Sequence, residues 1–217
     1  CCFEKRKRSS SLSGYGGNVH FGKSGGGKVS FVSAVYFKSP GLDLNDFGFV
    51  RHVDDIMTIN WLGYRINEPF SVFRNVGLNF NHWSNFDFSG DYLGMGGNIN
   101  AHGTFKNYYR LSLGVNVNAP QVSTSHLRGG PSYHIPGRTN QWIWFGSDSR
   151  KKFRITGNAS MNQGFDKYYR SQWYSLSFNY KPIDILEFSL NPRYNPSQNK
   201  QQYFTTTDDT YGNERYI

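Results

Sequence analysis

The sequence predicts an all-β protein, either an antiparallel up-and-down transmembrane β-barrel or an open, incomplete barrel sheet of about ten strands. Three observations predict this fold class. Apolar and neutral polar residues alternate with the period of two that a strand imposes. Short and long connections alternate along the chain. Aromatic residues make up 18% of it although its mean hydropathy is -0.63, so the apolar residues are spread thinly and form no membrane helix of about 20 apolar residues.

The clearest alternation lies in residues 92–122, where Lys106 and Asn107 separate two alternating halves and predict a tight hairpin turn. A polar face with little charge is typical of the lumen side of a barrel strand, whose other face meets lipid. The same alternation recurs in later strands. The side chains expected to face lipid are Leu113, Val115, Leu176 and Phe178. Those expected to face the lumen are Asn98, Asn116, Asn158 and Asn179.

Four strands are predicted before this hairpin, at 12–23, 28–38, 56–66 and 72–86. Ser24 and the three glycines after it separate the first two strands, because glycine supplies the positive φ of a tight turn. Asparagine and proline at 67–70 turn the chain between the last two. The apolar residues expected in phase are Val19 and Phe21; Val29, Phe31, Val35 and Phe37; Met57, Ile59 and Trp61; and Val76, Leu78 and Phe80.

Four more strands are predicted after the hairpin, at 141–147, 153–163, 171–181 and 186–195. Pro182 and Asp184 mark the turn between the last two. Another strand-like pattern begins at Tyr211, and bacterial single-chain barrels have even strand numbers. We therefore expect the first and last of the ten strands not to pair with each other, and further strands to complete the native barrel.

The connections alternate in length, with short ones at 24–27, 67–70, 106–107, 149–151 and 182–185, long ones at 39–55, 123–140 and 196–213, and intermediate ones at 87–91 and 164–170. Outer-membrane barrels have short turns on one rim and longer loops on the other. Aromatic residues near strand ends are expected to form the interfacial girdles of such a barrel. They are Tyr108 with Tyr109, Trp142 with Trp144, Tyr168 with Tyr169, and Trp173 with Tyr174.

The chain carries a formal net charge of +9, which often indicates nucleic-acid binding. Apart from residues 5–8, however, the basic residues are spread among strand ends and turns, where a membrane interface accounts for them, so we expect no nucleic-acid partner. Residues 1–11 are predicted to be a disordered basic lead and residues 12–217 a β-barrel domain incomplete at both ends. Cys1 and Cys2 are the two cysteines, so no disulfide framework is expected.

One short segment has the residue types of acid–base catalysis. His52 precedes Asp54 and Asp55 at the start of the strand predicted at 56–66. Two carboxylates that lie close together shift one pKa upward and supply an acid and a base. Adjacent residues of a strand point to opposite faces, which argues against this pair. The expectation is therefore no enzyme, with a rim-located outer-membrane hydrolase as an alternative.

Two loop segments carry candidate ligands. An arginine and backbone N–H groups could cradle a phosphate, although the glycines also suit a loop that needs unusual φ values; the residues are Arg128, Gly129 and Gly130. Oxygen ligands of the kind that Ca²⁺ prefers occur at Asp43, Asn45 and Asp46. Their spacing lacks the later glycine and glutamate of an EF-hand, and Asx turns are the alternative. We expect no metal and no cofactor.

Several segments resemble one family. They are SPGLDLNDFGFVRHVDD at 39–55 with Gly63-Tyr64-Arg65 after it, LRGGPSYHIPGR at 127–138 and YKPIDILEFSLNPRY at 180–194. The chain resembles the outer-membrane β-barrel domain of unknown function that follows a family-9 carbohydrate-binding-like domain in Bacteroidota surface proteins. The resemblance covers about residues 12–217 and implies an interior fragment of a longer barrel. It implies no activity, because that family has none that is settled.

The expected function is therefore that of a non-enzymatic outer-membrane β-barrel protein, acting as a pore, a glycan-uptake component or a surface-assembly component. The expected partners are outer-membrane lipid together with glycans or surface proteins, and the expected location is the cell outer membrane. The alternative is a soluble or surface-attached carbohydrate-binding β domain, which would also suit thinly spread aromatic residues.

Overall fold

The computed structural model describes residues 13–43, 53–123, 131–200, 205–208 and 214–216. All regular structure in these ranges is β-strand, which confirms the predicted all-β class. No described residue belongs to a helix that is long and apolar enough to cross a membrane. The basic lead predicted at 1–11 lies outside the described residues.

The described strands follow the predicted order with small shifts at their ends. Their bounds are β1 Gly16–Lys23, β2 Val29–Lys38, β3 Asp55–Ile66, β4 Phe73–Phe86, β5 Tyr92–Phe105, β6 Arg110–Asn118, β7 Gln121–Ser123, β8 Tyr133–Ile135, β9 Arg138–Gly146, β10 Phe153–Gly164, β11 Tyr169–Ile183, β12 Leu186–Leu190, β13 Arg193–Tyr194, β14 Ser197–Asn199, β15 Thr206–Asp208 and β16 Glu214–Tyr216.

One antiparallel sheet contains most of these strands, in the order β1-β2-β3-β4-β5-β6-β9-β10-β11-β12. Both β13 and β14 also pair with β11, so residues 186–199 act as one interrupted edge strand. Pro192 and Pro196 interrupt it because proline has no N–H to donate. Their carbonyl oxygens still accept hydrogen bonds from the backbone N–H groups of Leu176 and Gln172.

The sheet is open. Within the described residues, β1 and β12 are its edges and no ladder joins them, which confirms the open form that the sequence analysis expected. The strand-like pattern near the chain end does form a strand, β16, but it pairs with β15 in a separate hairpin rather than with the sheet. Another hairpin joins β7 to β8; β8 lies within the segment predicted to be a loop at 123–140, and β7 begins two residues before that segment.

The register divides the side chains between two faces, because directly paired residues point to the same side. The apolar face includes Leu113, Val115 and Leu176, which are 46%, 44% and 43% exposed. All eight side chains assigned to faces from the sequence lie on the predicted sides. Contact of the apolar face with lipid stays a prediction.

The described chain has almost no apolar core. Ala34 is its only buried hydrophobic residue, and no described side chain is less than 2% exposed. A soluble domain of this length normally buries a second layer against its sheet. Here the sheet is a single layer, and its apolar side chains remain uncovered.

The first half of β3 departs from the prediction. Met57, Ile59 and Trp61 were expected in phase with the apolar sets of the other strands, but their pairing places them on the polar face. Thr58 and Asn60 lie on the apolar face instead, where the Thr58 and Ser84 hydroxyls are 2.7 Å apart. The second half of β3 sets the faces, because Leu62 and Tyr64 pair with Phe80 and Leu78 on the apolar face, and the period of two carries Thr58 and Asn60 to the same side.

Candidate functional site on the polar face

Five asparagines form a continuous row across the polar face. One stands on each of the neighbouring strands β4, β5, β6, β9 and β10, and every one is the direct register partner of the next. This asparagine row consists of Asn81, Asn98, Asn116, Asn140 and Asn162. The amide nitrogen of Asn81 donates to Asn98 Oδ1 at 2.8 Å, and that of Asn116 donates to Asn140 Oδ1 at 2.8 Å.

A second set of amides connects to this row. Asn79 Nδ2 donates to Asn100 Oδ1 at 2.8 Å, and Asn100 Nδ2 donates to Asn98 Oδ1 at 2.9 Å. His102 lies 2.9 Å from Asn100 Oδ1 through Nε2 and 2.9 Å from Ser112 Oγ through Nδ1. These distances fit an imidazole that donates from Nε2 and accepts at Nδ1. The network orients several neutral donors and acceptors on one surface.

All five tryptophans lie on this same face. Four of them cover glycines, since a Cβ built on the glycine would lie 2.5–2.8 Å from ring atoms of the indole. The pairs are Trp61 over Gly63, Trp83 over Gly96, Trp142 over Gly114 and Trp144 over Gly146. Glycine in these strands therefore makes room for a ring. In a barrel whose apolar face meets lipid, Trp142, Trp144 and Trp173 would therefore lie on the lumen side, away from the girdle in which they were expected.

The centre of the polar face carries no full charge. The register row that contains Asn98 and the row that contains Asn100 hold only asparagine, serine, glycine and tryptophan from β3 to β11. Cations stand at its margin, where the guanidinium carbon of Arg110 lies 5.2 Å from the Trp144 ring centre and that of Arg193 lies 6.0 Å from the Trp173 ring centre. The central surface is thus both polar and uncharged.

A cavity of about 480 Å³ lies at the long-connection end of β2 to β5. Asp54 and Asp55, the predicted catalytic carboxylates, both line it. The expectation that they point to opposite faces does not apply, because Asp54 precedes β3 and has a φ of 60°. Both carboxylates already have partners: Asp54 Oδ1 accepts from Phe88 N at 2.9 Å, and Asp55 pairs with Lys38 at 3.2 Å.

Most other candidate residues cannot be placed. His52, Asn45 and Asp46 lie outside the described residues, as do the three candidate phosphate ligands Arg128, Gly129 and Gly130. Asp43 is described and stands after β2. Among the residues that the structure describes, no three His, Cys, Asp or Glu side chains are close enough together to hold a metal ion.

At the opposite rim, an arginine cluster encloses Tyr108. Arg150 Nε and Nη2 donate to the two carboxylate oxygens of Asp148 at 2.9 and 2.7 Å, a bidentate pair of the strong, charge-assisted kind. The Arg150 hydrogen bond holds the pKa of Asp148 down, at about 2. The guanidinium carbons of Arg150 and Arg74 lie 3.2 and 4.3 Å from the Tyr108 ring centre. Tyr108, expected in a girdle, instead anchors this short turn.

Comparison with known protein families places nearly the whole chain in one of them. The family model described as "Domain of unknown function (DUF5916)" matches residues 3–216. Neither the curated proteins nor the solved structures gave a significant match. Since the family model spans nearly the whole sequence, the chain belongs to the DUF5916 family of domains of unknown function.

Proposed function

We propose that this chain forms part of the wall of an outer-membrane β-barrel and works without catalysis, as a pore or uptake component. The observation that carries the proposal is the single-layer sheet with one uncovered apolar face and one polar face whose two central register rows carry no charge. In water, each apolar side chain left half exposed forgoes on the order of 1 kcal/mol of burial. Lipid against the apolar face and water against the polar face would satisfy both.

The connections support the same proposal. The two long connections, between β2 and β3 and between β6 and β9, leave the same end of the sheet, whereas every other connection along the sheet has six residues or fewer. We further propose that the native protein is a Bacteroidota surface protein with a family-9 carbohydrate-binding-like domain before the barrel. The resemblance of segments 39–55, 127–138 and 180–194 supports this context.

Heat-modifiable mobility tests the proposal on the full-length protein. A folded barrel extracted in detergent migrates differently in gel electrophoresis before and after boiling, and we expect that difference together with a requirement for detergent. Full solubility of a folded monomer without detergent would refute the barrel. The soluble or surface-attached carbohydrate-binding domain would then take its place.

A rim-located hydrolase is the second candidate, because Asp54 and Asp55 line one cavity and His52 precedes them in the chain. Both carboxylates already have structural partners, so we expect hydrolysis of surface glycans or peptides to be absent. The variants His52→Ala and Asp55→Asn provide the test. Hydrolysis by the wild-type protein that either variant abolishes, with heat-modifiable mobility retained, would establish the enzyme instead.

A further inference from the structure

The tryptophans and asparagines of the polar face form one surface, here called the indole–amide track. Its central residues are Trp61, Asn79, Asn98, Asn100 and Trp142. Four strand spacings separate Trp61 on β3 from Trp142 on β9, which corresponds to about 19 Å. The asparagine side chains occupy the strands between these two rings, so the track alternates an aromatic end, an amide centre and a second aromatic end.

The five tryptophan rings occupy neither of the usual places for tryptophan, a packed core or a membrane-facing girdle. They are not packed in a core, because the described sheet has none, and they are not on the apolar face. Each of these four rings has an atom within 2.8 Å of the position that a Cβ on the neighbouring glycine would take, and all five tryptophans are partly exposed to solvent. An indole in this position presents a flat, polarisable surface to whatever occupies the polar side of the sheet.

The side-chain amides of the asparagines in the track can form hydrogen bonds with a ligand that lies on the indoles. A carboxamide has two N–H donors and an oxygen with two lone pairs, so a bond to one neighbouring amide leaves groups that can meet a ligand. Hydrogen bonds between Asn79, Asn100 and Asn98 fix the directions of these groups. A surface that offers paired donors and acceptors but no charge complements hydroxyl groups on adjacent carbons, which donate and accept in the same way.

Charge narrows the class of ligand. Phosphate, uronate and nucleic-acid ligands call for cations, and the two central register rows contain none between β3 and β11. A sugar ring has C–H groups on its face and hydroxyls at its edge, which match an indole and an amide. We propose that the indole–amide track binds a neutral oligosaccharide of several linked pyranose rings. This inference rests on the proposed function and names the class of solute that would move along the wall.

Calorimetric titration of the full-length protein in detergent tests the inference. The probes are maltohexaose, cellohexaose, xylohexaose and mannohexaose, with hexagalacturonate as the charged control. We expect at least one neutral probe to bind and hexagalacturonate not to bind. Trp142→Ala should weaken binding about tenfold through loss of a stacking ring. The matched control is Ile143→Ala, the next residue on β9, which lies on the apolar face and is 46% exposed; it should leave affinity unchanged.

Oxidative footprinting supplies a test that needs no variant. N-bromosuccinimide oxidises accessible indoles, and the bound neutral probe should protect Trp61 and Trp142 while leaving the protein heat-modifiable. If Trp142→Ala does not fold, the protection pattern decides alone. If none of the four neutral probes binds or protects the indoles, the inference is overturned. The tryptophans and asparagines of the track would then serve only to pack against the sheet. Heat-modifiable mobility in the same sample would show that the barrel proposal survives that failure.

Discussion

The two-faced sheet makes a prediction about Leu176, the middle residue of the fifteen in β11. Leu176 is 43% exposed on the apolar face, and Ser175, its neighbour in sequence at the same depth, lies on the polar face opposite Asn158. An arginine facing lipid at the bilayer midplane costs about 2–4 kcal/mol. Leu176→Arg should therefore lower the folding equilibrium constant roughly 30- to 700-fold, since 1.4 kcal/mol is a factor of ten. Ser175→Arg should cost far less, because its side chain would meet water.

Urea-dependent folding into dilauroylphosphatidylcholine vesicles, followed by the fraction of heat-modifiable protein, measures both variants under the same conditions. A barrel wall with lipid on one face and water on the other requires a large shift for Leu176→Arg and a small one for Ser175→Arg. Equal shifts in the two variants, or a larger shift for Ser175→Arg, would refute the assignment of faces.

Three further predictions concern a glycine beside an indole, an ion pair and a residue with a positive φ. Gly114→Ala should destabilise the fold, because its Cβ would lie 2.8 Å from the indole ring that covers it, whereas Gly77→Ala, with nothing within 4 Å, should be neutral in the same urea titration. Arg150→Ala should raise the pKa of Asp148 from about 2 toward 3.8 in a carboxyl ¹³C titration, and an unchanged pKa would contradict the pairing. Because the pair lowers the pKa of Asp148 in the folded state, the stability that it adds is complete above about pH 4. That stability should be lost as pH falls toward 2. Asp54→Asn should retain stability and Asp54→Val should lose it, because asparagine tolerates the φ of 60° and a β-branched residue does not; equal melting temperatures would contradict this.

Much of the sheet could be predicted from the sequence, because alternation and turn chemistry are local. The ten main strands and the turn at Lys106 and Asn107 follow from residues close to them in the chain. The β7–β8 hairpin was missed because its strands have three residues each, too few for a period of two to show. The strand β16 was expected, but its partner β15 lies in a polar segment without alternation.

The candidate site was harder to predict, because it depends on register. Asn81 and Asn162 are far apart in sequence, and nothing local indicates that three intervening strands place asparagines between them in one row. The segment that holds Trp142, Ile143 and Trp144 is apolar at successive positions, so alternation could not say which face the indoles occupy. A signal was present in Gly114, which stands in a strand and leaves room for the ring of its register partner.

The central claim is that the apolar face of the sheet meets lipid and the polar face meets water. Nitroxide labels placed one at a time at residues 112–117 of β6, in a Cys1→Ser and Cys2→Ser background reconstituted into vesicles, test it most directly. Collisions with oxygen, which concentrates in lipid, should be most frequent at Leu113, Val115 and Val117, and collisions with a water-soluble nickel chelate at the three residues between and beside them. Equal accessibility along the strand, or the opposite alternation, would contradict the account.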